Sequence, residues 1–226
     1  MTIRDWIVKQ LREQDYFGGR SKIKSVEALG AHGLKVERAG LPNAFAFCVE
    51  QGAGTSFSVE ELDDALRELP AAQMVVVTRR GVAPGVYARA AELGVCVDTF
   101  GGFGRALQDF DDISKYIHPE EKYIRRRLAA TRVVTSVDRI GHRAWQLTRN
   151  GDLRPLSIVT IDKYELTDEE FGAVIDQYPD LTPDALVVTN PSAQGFGERV
   201  VKSAKQTGIP LVKIDDFVSN IREPWI

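Results

Sequence analysis

Cysteine, histidine and long apolar runs are all scarce in this chain. Two cysteines, Cys48 and Cys96, and three histidines are dispersed over 226 residues. No zinc-site spacing is present, and no histidine stands at a motif distance from a nucleophile and an acid. Both cysteines lie in apolar stretches, which fits buried free thiols of a reducing, cytoplasmic compartment. The purely apolar runs are short, such as Met74–Val77 and Ala44–Val49, against the ~20 residues a membrane-spanning helix needs. Arg4 and Asp5 interrupt the opening residues, so no signal-peptide core is expected there. The three tryptophans, Trp6, Trp145 and Trp225, are scattered. They form no alternating basic-aromatic platform for single-stranded nucleic acid and are expected in a core or interface.

What is present is globular composition: 43% hydrophobic and 27% charged residues, with a net charge of −3. The length allows one large domain or two small ones. The charge is uneven. From His118 to Arg149 eight cations (Lys122, Arg125, Arg126, Arg127, Arg132, Arg139, Arg143, Arg149) face three acids (Glu120, Glu121, Asp138). That stretch carries +5, which leaves −8 for the remainder. A local positive field on an acidic body suits an anionic partner; an ordinary solvated, ion-paired helix face is the alternative.

The chain also repeats itself. Val76-Val77-Thr78 returns as Val187-Val188-Thr189, 111 residues on, and Ser58-Val59-Glu60-Glu61-Leu62 as Thr167-Asp168-Glu169-Glu170-Phe171, 109 residues on. Gly94-Val95 matches Gly208-Ile209, and His32 matches His142. A period this long indicates a duplicated domain rather than a solenoid. The boundary falls near Ile117 and His118, giving repeats 1–116 and 117–226.

Each repeat predicts the same order. A first helix (Ile3–Gln14, or Pro119–Thr131) precedes an antiparallel hairpin. In the first copy the hairpin is Leu34–Arg38 and Ala44–Val49, turning at Leu41-Pro42-Asn43. In the second it is Ala144–Thr148 and Leu156–Ile161, turning at Asn150-Gly151-Asp152. Ser58 with Glu61, and Thr167 with Glu170, have capping-box spacing. A buried strand follows (Met74–Thr78, Ala185–Thr189), then a helix stopped by Gly94 or Gly208, a short strand and a last helix. Strand, helix, strand at this spacing is a right-handed parallel crossover. Gly101-Gly102-Phe103-Gly104 lacks dinucleotide spacing and a Walker lysine, and reads as a flexible strand-to-helix turn. The expected fold class is α/β: two tandem similar domains, pseudo-two-fold related, each a mixed sheet flanked by helices.

Through Met74–Thr78, the helix containing Ala90-Ala91-Glu92-Leu93-Gly94, and Val95–Asp98, this order resembles the restriction-endonuclease-like, or PD-(D/E)xK, superfamily, particularly its Mrr-type members. The resemblance implies catalysis on the hairpin, from one carboxylate and then a D/E-x-K triplet. Glu37 falls at the first carboxylate and Glu50 at the triplet acid, a pair that would hold Mg²⁺ and activate water. Gly52 stands where the lysine belongs; Lys22, Lys24 and Lys35 are possible migrated substitutes. In the second repeat the aligned positions are Leu147, Thr160 and Asp162, with Lys163 adjacent, so the first acid is missing.

Three functions are therefore expected to compete. The first is a nucleic-acid-associated pair of pseudonuclease repeats that bind DNA without sequence preference and cleave weakly or not at all. It would use Lys122, Arg125, Arg126, Arg132, Arg139, Arg143 and Arg149, joined by Arg79 and Arg80. The second is an active Mg²⁺-dependent endonuclease using Glu37 and Glu50. The third is a nucleotide sensor with ligand at the strand ends Thr78-Arg79-Arg80-Gly81 and Thr189-Asn190-Pro191-Ser192. A protein partner or homodimer stays open.

Overall fold

The structure, a computed structural model, describes residues 1–13, 21–52 and 54–225. The chain divides into two compact units, Met1–Tyr116 and Ile117–Ile226. Both have one element order. Unit one runs α1 (Ile3–Arg12), β1 (Ile23–Leu29), β2 (Gly33–Arg38), β3 (Leu41–Val49), α2 (Val59–Glu68), β4 (Met74–Val77), α3 (Val86–Leu93), β5 (Cys96–Asp98), α4 (Phe100–Asp109). Unit two runs α5 (Pro119–Ala129), β6 (Val134–Arg139), β7 (Ala144–Arg149), β8 (Leu156–Ile161), α6 (Asp168–Asp176), β9 (Ala185–Val188), α7 (Glu198–Thr207), β10 (Leu211–Lys213), α8 (Ile214–Asn220). The end of the expected first helix, Gln14, lies outside the described residues.

Each unit holds a five-stranded mixed sheet in sequential order, β1-β2-β3-β4-β5 and β6-β7-β8-β9-β10. The first three strands pair antiparallel and the last two join in parallel. Residues alternate between the faces of a strand, so each sheet builds two apolar layers. In unit one Leu34, Val36, Ala46, Cys48 and Val76 meet α1 and α4 on one face. Phe47, Val49, Val75 and Val77 meet α2 and α3 on the other. In unit two α5 and α8 cover Leu147, Ile158 and Val187, while α6 and α7 cover Val159, Ile161 and Val188.

Local chemistry sets the helix ends. The Ser58 hydroxyl accepts from the Glu61 amide (3.3 Å) while the Glu61 carboxylate accepts from the Ser58 amide (2.9 Å). Thr167 and Glu170 do the same at 3.2 and 3.1 Å. Each cap contributes about 1 kcal/mol. Gly94 and Gly208 both take φ of 71°, the left-handed region that ends a helix without a Cβ penalty.

Four expectations are corrected. The antiparallel part is a three-stranded meander rather than a hairpin, because β1 and β6 add to its edge. The first turn is at Ala39-Gly40, with Gly40 at φ 70°, and Leu41-Pro42-Asn43 already belongs to β3. Gly101–Gly104 is helix, not a flexible turn. A Cβ on Gly102 would sit 2.6 Å from the buried Asp98 carboxylate, so glycine is needed there for packing. Cys48 is buried as expected, but Cys96 is only half-buried.

The duplication also places one buried arginine at the same point of each unit. Arg38 ends β2 and Arg149 ends β7, 111 residues apart, and both are buried. Arg38 donates to the carbonyls of Pro42 (2.8 Å), Phe110 (2.6 Å) and Asp111 (2.8 Å). Arg149 donates to those of Arg154 (2.9 Å), Ile221 (3.0 Å) and Glu223 (2.9 Å). Each guanidinium thus ties the chain just after its strand to carbonyls at and just beyond the end of the unit's last helix. Burial pulls both side chains below the ordinary arginine pKa.

Candidate nucleic-acid interface

The expected catalytic pair does not converge. Val36 lies opposite Ala44 and Arg38 opposite Leu41, so Glu37 sits at the turn end of the β2–β3 hairpin. Glu50 follows Val49, beyond the pairing of Gly33 with Phe47 at the other end. Seven residues of β3 at about 3.3 Å each separate them by roughly 20 Å, too far to share one ion. Each is also engaged locally. Glu37 accepts from the Ser25 hydroxyl (2.8 Å) and lies 3.9 Å from Lys35. Glu50 accepts the Ile3 amide on both oxygens (3.0 and 3.1 Å), a carboxylate placed at the positive end of α1. Lys22 donates to the Gln108 carbonyl and Lys163 pairs with Glu170 at 2.6 Å, so neither completes a triplet. Among the described residues, no group of three or more histidine, cysteine, aspartate or glutamate side chains is placed to hold a metal ion. The residues present do not fit the Mg²⁺ that an active first repeat would need.

The basic segment does fold together, since His118–Arg149 forms α5, β6 and β7. Ile124 and Leu128 anchor α5 to the sheet, with Tyr123 partly covered. Much of its charge is spent inside the unit. Arg125 pairs with Glu121 at 2.8 Å and also donates to the Val137 carbonyl. Arg139, with a side chain only 9% exposed, pairs with the same Glu121 at 3.4 Å and donates to the His142 carbonyl at 3.0 Å. Arg143 pairs with Glu120 at 3.4 Å, and Arg127 with Asp215. The Glu120 carboxylate also accepts the Thr189 hydroxyl at 3.1 Å, so one expected strand-end ligand group is already used. Arg149 is buried under α8 and cannot meet a partner.

Lys122, Arg126 and Arg132 stay exposed. Lys122 and Arg126 are four apart on α5, hence on one face. Arg126 lies 5.9 Å from the Tyr123 ring centre. Neither Arg126 nor Arg132 has a carboxylate partner among the described residues. Arg132 takes φ of 58° in the turn after α5, a costly conformation for a residue with a Cβ. That turn is shaped by the buried Thr131, whose hydroxyl donates to the Leu128 carbonyl (2.7 Å) and accepts from the Val133 amide (3.3 Å).

Arg79 and Arg80 belong to unit one and divide in the same way. Arg80, 8% exposed, donates to the Thr55 carbonyl (2.7 Å) and pairs with Glu61 (2.8 Å), bracing the start of α2. Arg79 is exposed at φ 56°, its guanidinium 5.3 Å from the Trp6 ring centre, with no hydrogen bond or ion pair among the described residues.

Sequence reasoning missed cations elsewhere. On α7, Arg199, Lys202 and Lys205 are all exposed and have no ion pair or side-chain hydrogen bond among the described residues. The signal was available as one cation per turn opposite Val200 and Ala204, a spacing that a search for charge runs passes over.

The chain matches no family model, and no curated protein or solved structure matches it. Among the described residues no helix is long and apolar enough to cross a membrane.

Proposed function

We propose that this protein is a non-cleaving, nucleic-acid-associated protein built from two restriction-endonuclease-like repeats, holding duplex DNA by its phosphates without reading sequence. The observation that carries the reading is that Arg126 and Arg132 stay exposed with no carboxylate partner among the described residues, beside the exposed Lys122, while ion pairs and carbonyls engage the neighbouring arginines. Guanidinium groups present a planar fork of donors that suits phosphate oxygens. The separation of Glu37 from Glu50, and the missing first acid in the second repeat, support binding over cleavage.

The test is a salt titration of duplex binding. Each phosphate neutralised contributes about −0.9 to the slope of log K against log salt. Three engaged cations therefore contribute about −2.7 to the slope, and Lys122→Gln, Arg126→Gln and Arg132→Gln together remove that contribution. Absence of salt-dependent binding by the wild type overturns the proposal. Mg²⁺-dependent nicking of plasmid that is lost in Glu50→Ala would restore the nuclease reading. A nucleotide-sensing role keeps one observation in its favour, the outward Arg79 stacked on Trp6 at the carboxyl end of β4. Nucleotide binding lost in Arg79→Gln would support it.

A further inference from the structure

Helix α7 has an exposed arc that its own unit does not use. At 100° per residue, Lys205, Glu198, Lys202, Gln206 and Arg199 fall in that order across about 120° of the helix. All five are exposed, while Val200 and Ala204 face the sheet. The arc holds three cations and one carboxylate. Glu198 and Lys202 are four apart, yet no ion pair forms between them or anywhere else along the arc among the described residues.

Helix stability accounts for only part of this pattern. Lys205 lies in the last turn, where the helix dipole favours a cation. Arg199 lies in the first turn, where the dipole opposes one, and among the described residues it has no ion pair with an acid on another element. Three long cationic side chains are thus held on one surface, one of them against the local preference. Their span is six residues, about 9 Å of helix axis, which matches the rise of two to three nucleotides along one strand at about 3.4 Å each.

Resting on the nucleic-acid reading above, we infer that Arg199, Lys202 and Lys205 of α7 form a second phosphate-binding surface for duplex DNA. It is separate from the one on α5, because α5 and α7 cover opposite faces of the same sheet. The stack of helix, sheet and helix sets the axes of α5 and α7 roughly 20 Å apart, given about 10 Å between packed layers, and the two exposed surfaces point away from each other. One unit thereby offers phosphate contacts on two sides.

The experiment compares three full-length proteins on a 30-base-pair duplex between 50 and 200 mM salt: the wild type, Arg199→Gln/Lys202→Gln/Lys205→Gln, and Lys122→Gln/Arg126→Gln/Arg132→Gln. Glutamine keeps helix propensity, and circular dichroism with a thermal melt verifies that each variant folds. Loss of about 2.7 units of slope in the α7 variant is the expected result. If only the α5 variant loses slope, the α7 inference is overturned while the nucleic-acid reading stands. If the wild type binds no duplex, both are overturned. Vesicles containing phosphatidylserine serve as the competing polyanion: α7-dependent binding to vesicles but not to duplex would overturn the inference in favour of a membrane surface.

Discussion

Helices α5 and α7 carry cations in opposite ways. The α5 segment is conspicuous, with Arg125, Arg126 and Arg127 in succession and a charge of +5 over His118–Arg149, yet Glu120, Glu121 and Asp215 neutralise most of its arginines and Arg149 is buried. The α7 helix has only three cations, spaced one per turn, and none has a partner among the described residues. Counting charges along a sequence measures supply. What an anionic partner meets is what remains after folding has paired the rest, and surface pairing is decided by residues far apart in sequence, such as Arg127 and Asp215. Arginine density is therefore a poor guide to how much unpaired cationic surface this unit presents.

The largest effect that tests this contrast lies inside the arginine-rich segment. Arg149→Met leaves the carbonyls of Arg154, Ile221 and Glu223 without their donor, and unmet buried acceptors cost about 1–3 kcal/mol each before relaxation. A loss of roughly 3 kcal/mol in denaturant unfolding is expected, with the salt slope of DNA binding unchanged. Arg38→Met should cost unit one a similar amount, since its carbonyl partners are equivalent. A flattened slope with little loss of stability would mean that Arg149 is a surface contact after all.

Much of the fold was legible in the sequence, because its signals are local. Ser58 and Thr167 each carry their capping partner three residues on, and Gly94 and Gly208 stop their helices where apolar periodicity ends. The missed edge strands lack such a signal. In β1 the buried positions are Ile23 and Val26, three apart across a register shift, so no period of two appears. In β6 only Val137 is buried. The candidate site was less legible than the fold. The triplet spacing could not reveal that Glu37 and Glu50 lie at opposite ends of a hairpin, nor that Glu50 is engaged at the start of α1. Arg79 and Arg80 are adjacent and chemically identical, and only the position of Glu61 across the loop separates the braced one from the free-standing one.

Next in size is the unmasking of α5. Glu121→Gln removes the shared partner of Arg125 and Arg139, and the comparison predicts a steeper salt slope by about one unit as Arg125 turns outward. Tighter binding should accompany a modest loss of stability. If the slope does not change, the arginines of β6 and α5 are held by their carbonyl contacts rather than by the carboxylate. Arg125→Gln and Arg126→Gln then separate neighbours. The first should lower the melting temperature and barely change the slope. The second should flatten the slope by about 0.9 and leave stability within about 0.5 kcal/mol.

The smallest expected effect concerns Glu198, the one carboxylate on the α7 arc. It follows the Gly197 N-cap, which supplies no side-chain cap, so its charge faces the positive end of the helix. Removing it as Glu198→Gln should cost about 0.5 kcal/mol of stability through the lost dipole interaction. On the binding side the sign reverses. With Glu198 neutral, Arg199, Lys202 and Lys205 act on phosphate without local repulsion, and affinity at 50 mM salt should rise by a small factor, about twofold to fivefold. That gain should shrink as salt screens the interaction, since the Debye length falls from about 14 Å to about 7 Å between 50 and 200 mM. A variant that is both less stable and tighter-binding separates a surface used for binding from one that is merely solvated, because a solvated arc would show the stability loss alone.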